Sequence, residues 1–171
     1  HSDYVMAAHW GDVWLDDIGT KAYPRMDVVE FALRKFSKNG TWLTKTILRP
    51  LAPGLDAHNF LPEMLRSELE MLAMISDPDF MLKALKTETW SFRWTTASIR
   101  MYQPGAFPLL PFYDPRLVDF FCTVPTDYVA GRRLQIEYLK RYAPDLARIP
   151  WQVYDANLYW YKYFNSLLIP K

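Results

Sequence analysis

The sequence predicts a mainly α protein, a multi-helix, bundle-like array with a remnant N-terminal β-strand from a parallel α/β sheet. Three observations lead there. Asp77-Pro78 and Asp114-Pro115 each combine a capping oxygen with a residue that needs no amide partner, ahead of apolar residues at helical spacing. One short apolar run, Tyr4-Val5-Met6-Ala7-Ala8, reads as a buried strand. The 171 residues are 50% hydrophobic and 23% charged, which marks a globular chain and not a disordered one. Folding at that length hides roughly 70% of the unfolded surface, so no staples are needed.

The strand ends in a turn at His9-Trp10-Gly11-Asp12. No second convincing strand follows, although a buried parallel strand must pair its backbone groups. The run is therefore expected to be the end of a sheet, with 1–20 comprising strand and acidic loop and 21–171 the helical portion. Pro24 is placed in a first helical turn, with Val28, Val29, Phe31, Ala32, Leu33 and Phe36 on one face and Asn39-Gly40 as a left-handed stop. A shorter helix over Thr41–Leu48 ends before Pro50, and Pro50–Gly54 reads as loop. Asn59 is expected to cap a helix carrying Leu65, Leu69, Leu72 and Ile75, and Asp77 another running through Leu82, Leu85 and Trp90 to about Met101. Pro104, Pro108 and Pro111 forbid regular helix between them. Asp114 opens a helix with Leu117, Val118, Phe121 and Cys122 inward, and Leu134, Ile136, Leu139 and Tyr142 mark the next. A last helix, about 155–168, is ringed by aromatics, which either pack deeply, the favoured expectation, or cover a surface outside these residues.

Composition excludes several classes. Twenty Lys+Arg against nineteen Asp+Glu leave +1, no footprint for nucleic acid. One cysteine rules out an internal disulfide, and histidines at 1, 9 and 58 lack zinc-ligand spacing. No apolar run approaches the ~20 residues of a membrane span, and His1-Ser2-Asp3-Tyr4 does not read as a basic leader, so a cytoplasmic protein is expected. The six glycines, at 11, 19, 40, 54, 105 and 131, allow no phosphate loop anywhere.

The residues placed to carry chemistry form small groups. Asp12, Asp16 and Asp17 follow the strand, where magnesium and ligands gather in open α/β sheets, although aspartates also cap turns. Arg132 and Arg133, after Gly131 and before a helix, are candidate phosphate contacts. Arg93 and Arg100, seven apart, can share a helix face and receive an anion. His9 reads as structural, because no nucleophile stands near it in sequence. Cys122 reads as an inert core thiol.

Taken in order, these segments resemble the synthetase domain of asparagine synthetases and their relatives, which include β-lactam synthetase and peptide-cyclising enzymes. The resemblance rests on Gly11-Asp12 after the strand, on Pro111-Phe112-Tyr113-Asp114 before a helix, and on Val124-Pro125. Arg93-Trp-Thr-Thr-Ala97 is similar to the family's Arg-x-Ser-Met-Ala, and Glu137-Tyr-Leu-Lys-Arg141 with the run to Pro150 to its Lys-x-x-Leu-Arg and Leu-Pro. The resemblance implies an ATP-dependent amidoligase that adenylates a small carboxylate and then forms an amide. ATP and magnesium would be its cofactors in the parent protein, with Asp12 a magnesium ligand and Arg132 and Arg133 flanking the phosphates. Its Ser-Gly-Gly-x-Asp-Ser loop is absent from these residues. The chain is therefore expected to be a carboxyl-terminal piece, inactive alone, whose partner is the missing ATP-binding sheet and, in the family, a glutaminase domain.

The departures are specific. Val13 stands where the family has glutamate, Asp16-Asp17 where it has Gly-Gly, and His9 at an upstream acidic position. The family's catalytic lysine position is Glu137, which reverses the local field, and Lys140 or Arg133 are the nearby cations that could replace it. The rival expectation is a non-catalytic helical interaction or scaffold domain derived from the same fold.

Overall fold

A computed structural model describes residues 3–152 and 154–163, and it is mainly helical with one small two-stranded parallel sheet. The chain divides into two compact units, one of residues 1–10 and 18–113 and the other of residues 11–17 and 114–171.

In the first unit, β1 (Tyr4–Met6) pairs in parallel with β2 (Phe107–Leu109), with Val5 opposite Pro108. Phe107 N donates to Asp3 O at 2.8 Å and Ala7 N to Leu109 O at 2.9 Å. The bonds of β2 toward β1 come from Phe107 and Leu109, so the amide that Pro108 lacks falls on the open side. That is how a strand exists inside a proline-spaced loop where none was legible. The strands are not buried on both faces: Tyr4, Met6, Phe107 and Leu109 are exposed, and Tyr4 meets Phe107 edge-on at 6.2 Å.

The helices of this unit keep their expected cores and shift their ends. Helix α2 (Val28–Ala32) starts at Asp27, which accepts from Val29 N at 2.9 Å and Glu30 N at 3.3 Å, and not at Pro24. It continues as a π turn, Leu33–Ser37. The stop is Lys38, with φ 43°, while Asn39-Gly40 opens the next helix: α3 (Gly40–Leu43), a π turn Thr44–Leu48, and α4 (Arg49–Leu51). Pro50 is tolerated there because it lies at the start of α4. Helix α5 (Phe60–Met71) follows Asn59, whose own side chain caps nothing, and ends before Ile75. Helix α6 (Pro78–Lys86) is capped by Asp77, which accepts from Asp79 N and Phe80 N. A π turn, Thr87–Ser91, joins it to α7 (Phe92–Arg100).

In every π turn a hydroxyl bonds back to a carbonyl four residues earlier, Ser37 to Leu33 in the first. Thr44, Thr87 and Thr89 turn their hydroxyls back onto the carbonyls of Gly40, Lys83 and Leu85 at 2.9, 2.8 and 2.6 Å. Such bonds compete with the helical ladder, although α7 keeps its α geometry with Thr96 and Ser98 bonded in the same way. Ile18, Val29, Phe31, Ala32, Leu69, Leu82 and Leu85 form the core of this unit.

The second unit contains α1 (Gly11–Trp14), α8 (Pro115–Thr123), α9 (Thr126–Val129), α10 (Arg133–Tyr142) and α11 (Pro144–Ala147). Ile136, Ala147 and Leu158 make a small core against Leu139, Trp151, Tyr154 and Tyr161. The expected final helix does not begin at 155, because Asp155 takes φ 48° and Asn157 accepts from Tyr159 N in a turn. Helical conformation starts at 161, and 164–168 lie outside the described residues.

Asp114 caps α8 and also holds Arg116, with Oδ2 2.6 Å from Nη2. The Arg116 side-chain and backbone hydrogen bonds lower the Asp114 carboxyl from 3.8 to about 2. A carboxylate depressed in the folded state contributes fully above its ordinary value and is withdrawn as pH falls toward about 2. A carbon-13 titration of the Asp114 carboxyl is expected to show its midpoint well below that of an ordinary aspartate. A midpoint near 4 would remove this cap from the account.

Candidate functional site

In the first unit, the carboxyl ends of both parallel strands lead into one aromatic cluster. Beyond β1, Trp10 adopts φ 72° and stacks on Tyr113 at 4.0 Å, with Phe92 edge-on at 5.1 Å. Tyr113 belongs to the short turn Pro111–Tyr113 that follows β2. Burial pushes its phenol above the usual 10.0, with Thr95 drawing it back. His9 packs edge-on against Tyr102 at 6.4 Å, and its Nδ1 is buried without a hydrogen-bond partner, as is Ser91 Oγ. The expected satisfied histidine is thus only partly satisfied.

In the second unit, two groups chosen separately from the sequence close on each other. Asp16 Oδ2 lies 3.0 Å from Arg132 Nε, and Asp17 Oδ1 accepts from Gly131 N at 3.1 Å. Gly131 and Arg132 both take φ 61°, so the turn presents its amide and guanidinium to the acidic loop. Gly131 adopts that conformation freely, whereas Arg132 does so at a cost that its partners offset. The Arg132 guanidinium also lies 5.3 Å from the Trp151 ring. Asp12 sits exposed in the first turn of α1, beside Val13, which is 1% exposed and fills the core. A carboxylate at position 13 would be buried, so hydrophobic burial accounts for valine there.

The remaining candidates are more dispersed. Arg133 is exposed at the start of α10, and Arg93 and Arg100 are exposed on α7. Glu137 pairs with Lys140 Nζ at 3.2 Å, and that ammonium lies 5.7 Å from the Tyr159 ring. Cys122, expected in the core, is exposed, because the apolar side of α8 is buried through Phe121 instead. Desolvation, then the nearby Asp119 charge, pushes its thiol above the usual 9.0. One equivalent of maleimide is expected to label the native protein at Cys122, at a rate that keeps rising past pH 9. Labelling only in denaturant, followed by mass spectrometry, would return Cys122 to the core.

Sequence reasoning missed the best-satisfied carboxylate. Asp79, 1% exposed, accepts from Ile18 N at 2.9 Å through each oxygen, from Gly19 N at 2.9 Å and from Thr20 N at 3.3 Å. Lys83 Nζ lies 3.8 Å away, itself 4% exposed. Gly19, at φ 98°, makes this amide cradle possible. The available signal was Gly19 beside an aspartate pair; its true partner lies 60 residues along the chain.

Among the described residues no three His, Cys, Asp or Glu side chains gather as a metal site. Asp12 supplies one carboxylate and Arg132 is engaged by Asp16, so these residues do not by themselves fit a complete magnesium–nucleotide site. No family model matches the chain, and no curated protein or solved structure matches it either.

Proposed function

We propose that this chain is part of an asparagine-synthetase-like, ATP-dependent amidoligase that acts on a small carboxylate, and that its own residues form a wall of the site. The supporting observation is the parallel pair β1–β2, with apolar side chains exposed and an aspartate-rich segment directly after β1. A two-stranded parallel pair is not self-sufficient, and adding strands would pair its open backbone groups. In this reading Asp12 contributes one magnesium ligand, Arg133 offers an unshielded cation to phosphate, and the Asp16–Arg132 pair fixes the loop. ATP and magnesium are held largely by a segment that carries the glycine loop. ATP–pyrophosphate exchange by the complete protein, across a panel of small carboxylates, tests this. Exchange stimulated by one of them is expected; none with any carboxylate would sink the enzyme reading.

The pairing of Glu137 with Lys140 favours a second reading, a non-catalytic helical interaction domain, because the nearest replacement cation is already engaged by that carboxylate. A protein without exchange activity but with unchanged folding would fit it.

A further inference from the structure

One helical stretch of the first unit has almost no contact with a core. The segment α3–α4 begins against α5, where a Cβ on Gly40 would stand 3.2 Å from Leu61 Cδ1, and Thr44 is buried at 3%. Beyond Thr44, every residue from Lys45 to Gly54 is exposed. Yet this stretch is not polar. Trp42, Leu43, Ile47, Leu48 and Leu51 are 62, 44, 49, 38 and 77% exposed.

The charge is as one-sided as the exposure. No Asp or Glu occurs between Glu30 and Asp56, while Arg34, Lys35, Lys38, Lys45 and Arg49 do. The rest of the chain leans the other way, with nineteen acidic residues against fifteen basic ones. Arg34 is turned onto the Tyr23 ring, 5.5 Å away, and Lys38, Lys45 and Arg49 belong to the exposed stretch or its start. No helix among the described residues is long and apolar enough to cross a membrane. Exposed Trp, Leu and Ile interleaved with Lys and Arg on a short helix is the chemistry of a segment that lies in a membrane interface.

We propose that Gly40–Leu51 docks the protein reversibly on an anionic lipid surface. Its apolar side chains enter the headgroup boundary while Lys38, Lys45 and Arg49 meet lipid phosphates. A second copy of the chain fits less well, since a two-fold contact through this helix would set like charges against each other. The proposal is independent of the enzymatic reading, because it uses none of the residues assigned there.

The test is co-sedimentation of the full chain with vesicles of phosphatidylcholine containing about 30% phosphatidylglycerol, against pure phosphatidylcholine, at about 0.1 M salt. Binding to the anionic vesicles alone is expected. Lys45→Ala with Arg49→Ala, both exposed and outside every core, should weaken it roughly thirtyfold at an attraction of about one surface charge each. Leu51→Ser should weaken it too, with circular dichroism unchanged for both variants. Equal sedimentation with both vesicle types, no binding to either, or binding indifferent to all three substitutions would overturn the proposal. So would a concentration-dependent mass in lipid-free solution that Leu51→Ser abolishes, since it would assign the face to a second copy.

Discussion

Replacing Asp79 with alanine is expected to destabilise the protein by about 3–5 kcal/mol, the usual cost of leaving one partner of a buried ion pair alone. The removed carboxylate satisfies the buried amide of Ile18 and the half-buried amides of Gly19 and Thr20, and it balances the buried Lys83. Its loss removes the ion pair of Lys83 and leaves several amide donors unsatisfied, each with its own desolvation penalty. Adding Lys83→Met removes the buried charge that has lost this ion pair but does not satisfy the amides, so the double variant should recover only part of the loss. Urea unfolding of the three proteins checks this. A cost under about 1 kcal/mol for Asp79→Ala would mean the cradle is hydrated, contrary to its burial.

Leu82→Ala is expected to cost about 2–5 kcal/mol by opening a cavity between α6 and its neighbours. Leu82 has no exposed surface and belongs to the core formed with Val29, Phe31 and Leu69. Met74, 98% exposed, provides the control: Met74→Ala should change stability by less than about 0.5 kcal/mol. Equal losses from the two substitutions, read from thermal unfolding, would place the core elsewhere.

These two residues also show how far the sequence could be read. Leu82 was legible because a capped helix after Asp77-Pro78 fixes which positions lie together on its inner face. Asp79, two residues past the same cap, has the local pattern of an ordinary acidic first-turn residue. Its role depends on a turn far away in the chain, and no local pattern encodes that distance. β2 was hidden for another reason. A three-residue strand has no measurable period, and Pro108 is accommodated only because its missing amide falls on the open side. The π turns escaped because the apolar spacing through them stays helical while the hydroxyls of Ser37, Thr44, Thr87 and Thr89 bond to carbonyls one turn back.

The candidate site was legible as components. Asp16, Asp17, Gly131 and Arg132 were all singled out by residue type and neighbourhood, but their mutual contact was not, since it joins segments more than a hundred residues apart. That contact alters the chemistry on offer. Arg132 shifts from a candidate phosphate contact to the residue that holds the acidic loop, and Arg133 remains the exposed cation. Burial accounts for the valine at position 13, where the family that the sequence resembles has glutamate.

Asp12, exposed in the first turn of α1, carries the proposed metal role. Magnesium-dependent ATP–pyrophosphate exchange by the complete protein, compared between the wild type and Asp12→Ala, measures its role directly. Loss of exchange by at least about a hundredfold, about 2.7 kcal/mol of transition-state stabilisation, with an unchanged thermal midpoint, is the expected result. Undiminished exchange in Asp12→Ala would contradict the assignment of that residue to the metal.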